Sequence, residues 1–170
     1  MLTLDHVLRA WIVAHRVQAL NGPMWLASVV GRAGFVWFAI AAAVAARQRR
    51  RSAFTVVLLA VLLGSVTAND IVKPAVHRTR PFDAMPGTVI GGRPDDASFP
   101  SGHSTTAFAA ALTLSRVAPA GAPVWWALAA LIAFSRVYLG VHYPLDVLGG
   151  AALGVACGAL AIWLTRFPKL

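Results

Sequence analysis

A polytopic membrane bundle of α-helices, with five transmembrane helices and an N-terminal amphipathic helix, is the architecture expected of this chain. Three observations lead there. Hydrophobic residues fill 58% of the 170 positions and charged residues only 12%, with a mean hydropathy of +0.69, well above an ordinary soluble domain. The apolar residues fall in runs long enough to cross a bilayer core at ~20 residues per helix. The basic residues, 15 Lys and Arg against 6 Asp and no Glu for a net charge of +9, gather between and after those runs. That placement fits juxtamembrane loops and argues against nucleic acid as a partner.

Residues 1–22 come first. Leu4, Val7, Leu8, Trp11 and Ile12 recur near helical spacing while Asp5, Arg9, His15 and Arg16 fall largely elsewhere, the pattern of a helix lying in the membrane interface. The chain does not open on the basic region, apolar run and cleavage site of a signal peptide, so insertion is expected to use the spans themselves. Asn21, Gly22 and Pro23 end the amphipathic segment, and residues 23–46 form the first span. Arg32 interrupts it and is expected to face protein or to snorkel, because a guanidinium at that depth is costly. After the cluster Arg47, Arg49, Arg50 and Arg51 comes the second span, residues 52–69, with Asp70 at its exit. Residues 71–99 are too polar and too rich in Pro and Gly to span, and read as one long loop.

Residues 101–117, 123–139 and 146–165 make the third, fourth and fifth spans, the third and fourth joined by so short a turn that they are antiparallel neighbours. In the fifth, Gly150, Gly154 and Gly158 recur every fourth residue and let another helix approach closely. Together 1–170 is expected to form a single domain. Cys157 stands alone, which excludes an intramolecular disulfide and a Cys-based metal site. With the basic loops assigned to the cytoplasm, segments 71–99 and 140–145 share the extracytoplasmic face.

Polar residues cluster at the ends of these apolar helices, where an unpaired charge is expensive. Lys73, Arg80 and Arg136 supply cations, and arginine's planar fork holds two oxygens at once. Ser101 and Gly102 stand where the third span begins, so unbonded backbone N–H groups and the positive end of the helix dipole can meet the same anion. This set suits phosphoryl transfer, which rests on positioning and on electrostatic stabilisation of the phosphate oxygens. Of two histidines nearby, one can attack phosphorus as a neutral imidazole while the other protonates the departing oxygen. Asp146, four residues after His142, can accept the Nδ1 proton of that ring and leave Nε2 as the nucleophile, with His103 as the acid.

The strings Lys-x6-Arg-Pro (Lys73 to Pro81), Pro-Ser-Gly-His (Pro100 to His103) and Ser-Arg-x5-His-x3-Asp (Ser135 to Asp146) resemble the three-part signature of the type-2 phosphatidic acid phosphatase (PAP2) superfamily, in family order and spacing. The resemblance implies that His142 becomes phosphorylated, that Asp146 orients it, and that His103 protonates the leaving group and later activates water. It implies phosphate binding by Lys73, Arg80, Ser101, Gly102 and Arg136, with no metal and no other cofactor. Larger relatives use six spans, against five here plus an N-terminal amphipathic helix that can be counted as a sixth.

By the same resemblance the substrate is a membrane lipid phosphate and the location is the bacterial cytoplasmic membrane, with the site facing outward. Compact bacterial members resemble undecaprenyl pyrophosphate phosphatases, while phosphatidylglycerol phosphate, phosphatidic acid and other polyprenyl phosphates are alternatives. A lipid phosphotransferase, in which an alcohol replaces water, and a non-catalytic membrane scaffold are readings of other classes. Nothing in the sequence specifies an oligomeric state. His77 and Arg78 lie outside the fixed positions and read at most as headgroup contacts, and Asp83, Asp95 and Asp96 as solvated loop residues, although the loop from Phe82 to Phe99 can serve as a lid.

Overall fold

The computed structural model describes residues 4–85 and 89–166, and all regular structure among them is helical. The helices are α1 (Leu4–Ala14), α2 (Asn21–Val30), α3 (Phe35–Gln48), α4 (Arg51–Val66), α5 (Lys73–Val76), α6 (Pro81–Ala84), α7 (Gly102–Val117), α8 (Ala122–Tyr138) and α9 (Pro144–Leu164), with a π-helical turn, Thr67–Val72, between α4 and α5.

α7 is the axis of the bundle, packed against α4, α8 and α9, and its Ala107, Ala109, Ala110, Ala111 and Leu114 are wholly buried. Being enclosed by protein, α7 tolerates Ser104, Thr105, Thr106 and Thr113, whose hydroxyls donate to main-chain carbonyls. The glycine stripe of α9 faces it. A Cβ on Gly150 would lie 2.6 Å from Ser101 O, one on Gly154 2.3 Å from Thr105 O, and one on Gly158 3.0 Å from Ala109 O. Hydrogen in place of a side chain therefore sets the spacing of the two helices along their length.

The expected spans meet the structure unevenly. Three stretches, Arg51–Ala84, Pro119–Tyr138 and Pro144–Leu164, are long and apolar enough to cross a bilayer, and a fourth arises if the bent pair Gln18–Val30 and Arg32–Gln48 is one span. α7, expected as the third span, has 16 residues, about 24 Å of helix against a hydrocarbon core of ~30 Å. The first expected span, 23–46, is broken by a 52° bend, because Ala33 and Gly34 adopt left-handed conformations (φ 50° and 76°). The expected loop 71–99 is helical as far as Val76 and again over α6, since Pro74 and Pro81 fall in the first turns of α5 and α6, where a missing N–H is harmless.

α1 presents its apolar residues Leu4, Val7, Leu8 and Trp11 outward and buries Asp5 and Arg9 against the ends of α8 and α9. For a helix against a bilayer this is the lipid-facing arrangement. The basic turn between α3 and α4 lies at the end of the bundle where α7 finishes, tied there by the bond from Gln48 Nε2 to Val117 O (2.9 Å). The start of α7, the end of α8 and the start of α9 meet at the opposite end.

Candidate active site

At that opposite end lies a cavity of about 360 Å³. Six of the residues singled out from the sequence line it: Lys73, Arg80, Gly102, His103, Arg136 and His142. The other two, Ser101 and Asp146, are fully buried immediately behind its wall.

Lys73 arrives through the π-helical turn, a feature that re-aims side chains at functional sites. Ser65, Asn69 and Lys73 thereby share one wall. Gly102 opens α7 across from Asn69, whose Oδ1 would lie 2.9 Å from any Cβ at that position. The amides of Gly102 and His103 occupy the first helical turn, where no intrahelical carbonyl reaches them. Ser101 is placed differently from the expectation. Its N–H donates to Asp146 O (2.9 Å) and its hydroxyl accepts from the Ser104 N–H (3.4 Å), so it caps α7 and ties it to α9.

Arg80 is buried with every guanidinium donor engaged. Nε donates to Asp96 O (2.7 Å), one terminal nitrogen to Val141 O (2.8 Å) and toward His142 Nε2 (3.3 Å), and the other to Asp96 Oδ1 and to Ala97 O (3.3 Å). Lys73 Nζ donates to Asp96 Oδ2, so one carboxylate bridges both cations with an oxygen for each. Burial raises the Asp96 pKa, but Lys73 and Arg80 outweigh it and hold the carboxyl below its usual range. Arg136, near the end of α8, donates to Ser28 Oγ, while its Nε and the Nε2 of His103 are buried with no hydrogen-bond partner.

His142 sits in the turn between α8 and α9, which Gly140 (φ 84°) allows to fold back so that the Val141 and His142 amides both donate to Arg136 O. An arginine only donates, so the contact with Arg80 requires an unprotonated Nε2 and puts the ring proton on Nδ1. Nδ1 faces Asp146 Oδ2 at 3.5 Å, slightly beyond hydrogen-bond range. Burial, opposed by Asp146 and reinforced by Arg80 and Arg136, pushes the His142 pKa down to about 4. The ring is therefore neutral at pH 7 with its lone pair directed toward the cations.

Asp146 is held from several sides. Oδ2 accepts from Ser98 Oγ (2.6 Å) and the Tyr143 N–H (2.8 Å), and Oδ1 accepts from Arg78 (2.7 Å). Arg78 in turn pairs with Asp5 of α1 (2.5 Å) and lies over the Tyr143 ring. Asp5 also accepts the Leu145 N–H at the start of α9 (2.8 Å). Arg78 thus pairs with the site's carboxylates, Asp96 bridges Lys73 and Arg80 while staying partly open to solvent, and Asp5 had no assigned role. The one signal for Asp5 was its i,i+4 spacing from Arg9, a polar stripe on a helix whose other faces are apolar. Among the described residues no three His, Cys, Asp or Glu side chains converge as a metal cage.

The chain has relatives of known sequence and structure. Residues 53–169 match the sequence profile of the PAP2 superfamily. An undecaprenyl-diphosphatase of Sulfolobus acidocaldarius is 35% identical over 150 residues, covering 82% of this chain and 68% of that protein. A decaprenylphosphoryl-5-phosphoribose phosphatase of Mycobacterium tuberculosis is 38% identical over 130 residues, covering 75% of this chain and 69% of its own. The crystal structure of Aquifex aeolicus LpxE superposes with a TM-score of 0.81 at 26% identity, covering 95% of this chain and 96% of that one. A PAP2-type phosphatidylglycerolphosphate phosphatase from Bacillus subtilis gives 0.77 at 26% identity, over 97% and 86%.

Proposed function

The chain belongs to the PAP2 superfamily of phosphatases, and from that premise we propose that it hydrolyses a polyprenyl diphosphate or a related lipid phosphate through a phosphohistidine at His142. One observation carries this reading: the buried, neutral imidazole of His142 turns Nε2 to the cationic wall and Nδ1 to Asp146. Lys73, Arg80, Arg136 and the first amides of α7 hold the phosphate oxygens in place of Asp96. Nε2 then attacks phosphorus, the P–N bond forms, and the P–O bond to the lipid breaks. The departing oxygen keeps the electron pair and takes a proton from His103. In the second half His103 takes a proton from water, whose oxygen attacks phosphorus, and the P–N bond breaks to release orthophosphate and free His142. Asp146 keeps the proton on Nδ1 and stabilises the imidazolium that develops.

The undecaprenyl-diphosphatase relative favours a prenyl diphosphate as substrate, with phosphatidylglycerol phosphate and phosphatidic acid as alternatives. The basic turn at the far end of the bundle favours a cytoplasmic membrane with the site on its outer face. The test is phosphate release by detergent-purified protein, with EDTA present, from undecaprenyl pyrophosphate, phosphatidylglycerol phosphate and phosphatidic acid. Release is expected with EDTA, is abolished in His142→Ala and falls about 10²–10⁴-fold in His103→Ala. Undiminished activity in both variants would remove the mechanism, and transfer only to an added alcohol would make the chain a phosphotransferase.

A further inference from the structure

A second cavity, of about 300 Å³, adjoins the first and shares Pro94, His103 and Arg136 with it. His142 lines only the first. Arg32, from the bend between α2 and α3, and Arg93, from the loop before α7, line only the second, beside the apolar Trp25 and Ile90. The buried Arg136 Nε and His103 Nε2, both without partners, belong to residues on the shared wall.

In phosphoryl transfer the attacking and leaving atoms stand in line on opposite sides of phosphorus. With His142 on one side and His103 on the other, the leaving oxygen points past His103 into the second cavity. A lipid whose leaving oxygen belonged to a neutral alcohol would leave the two arginines that line this cavity, Arg32 and Arg93, the latter with its guanidinium over the Phe82 ring, with nothing to neutralise. We infer that Arg32 and Arg93 bind the second phosphate of a diphosphate substrate, so that the leaving group is a lipid monophosphate whose first hydrocarbon carbons meet Trp25 and Ile90. This rests on the proposed reaction and assigns its leaving-group site. The P–O bond that breaks is the one to the bridging oxygen, which leaves with its electron pair and receives the His103 proton.

The inference is tested by binding, which needs no turnover. Methylenediphosphonate, with an uncleavable P–C–P link, and methylphosphonate are titrated calorimetrically into the detergent-solubilised chain. Two added charge-assisted contacts predict a preference for the diphosphonate of about tenfold or more. In the double variant R32Q/R93Q the ratio falls to about one, each single variant gives part of that loss, and Lys73→Gln weakens both ligands together. Equal affinities in the unaltered chain, or a preference that survives R32Q/R93Q, would overturn it. So would loss of all binding in a double variant that still melts normally, since the arginines would then serve the reacting phosphate. His142→Ala keeps the preference, so a failure of the hydrolytic mechanism is read separately from a failure of the second phosphate site.

Discussion

Replacing Gly154 by Ala tests how the bundle's packing governs its chemistry. The new Cβ would lie 2.3 Å from Thr105 O, 3.0 Å from Ala109 N and 3.1 Å from Phe108 Cβ. The first two are main-chain atoms of α7, so no rotamer change relieves the clash, and the helices must part by about 1 Å. Overpacking of this kind costs about 1–3 kcal/mol, and a contact with backbone belongs at the upper end. The better helix propensity of alanine returns up to about 1 kcal/mol, leaving a net loss of about 2 kcal/mol, or about 4–8 °C in Tm. Activity suffers more, because α7 carries His103 and α9 carries Asp146, joined by the 2.9 Å bond from Ser101 N to Asp146 O. A displacement of about 1 Å among reacting groups lowers rates about 100-fold. Phosphate release and thermal melting are measured for Gly154→Ala beside Gly158→Ala, where the nearest contact is 3.0 Å and the loss is smaller, and Gly22→Ala, where nothing lies within 4 Å. A Gly154→Ala protein that melts and turns over like the parent would refute the reasoning.

Asp5→Asn keeps an acceptor for the Leu145 N–H but removes the charge paired with Arg78, so kcat is expected to fall about tenfold with KM within about twofold; a rise in KM alone would place Asp5 in substrate binding instead. Asp96→Asn frees Lys73 and Arg80 from a carboxylate that is 44% exposed, so orthophosphate should inhibit about fivefold more tightly, and an unchanged inhibition constant would show that Asp96 does not occupy the phosphate position. The lowered pKa of His142 has a definite sign: between 6.5, its ordinary value, and about 4 the unfolded chain binds a proton that the folded chain does not. Stability from this group is therefore complete above pH 6.5 and declines as pH falls toward 4. Histidine-labelled NMR should show the ring neutral to about pH 5, with the signal identified by its loss in His142→Gln, and a midpoint near 6.5 would contradict the buried geometry.

Much of this was legible because helix length and hydropathy are local properties. The last three helices follow residues 101–117, 123–139 and 146–165 to within a few positions, and the glycine stripe of α9 identified a close helix contact before its partner was known. The bend at Ala33 was not legible, since an alanine in left-handed conformation carries no sequence mark. Nor was the short reach of α7, whose burial among its neighbours removes the need for a full-length apolar surface. Six of eight expected site residues line one cavity because each stands at a helix end where polarity interrupts an apolar run. Asp5, Arg78 and Asp96 escaped because their roles come from tertiary partners 73, 68 and 16–23 residues away along the chain.

Because α1 is moored through Asp5 and Arg9 while Leu4, Val7, Leu8 and Trp11 point away from the protein, the surrounding lipid acts as the clamp that presses it home. Stripping that annulus by harsh solubilisation is expected to loosen α1 and slacken Arg78 against Asp146 before it disturbs the α4, α7 and α9 packing. Turnover is then expected to decline without unfolding and to return on reconstitution into liposomes, and equal rates in harsh detergent and in liposomes would show that α1 needs no lipid to hold it.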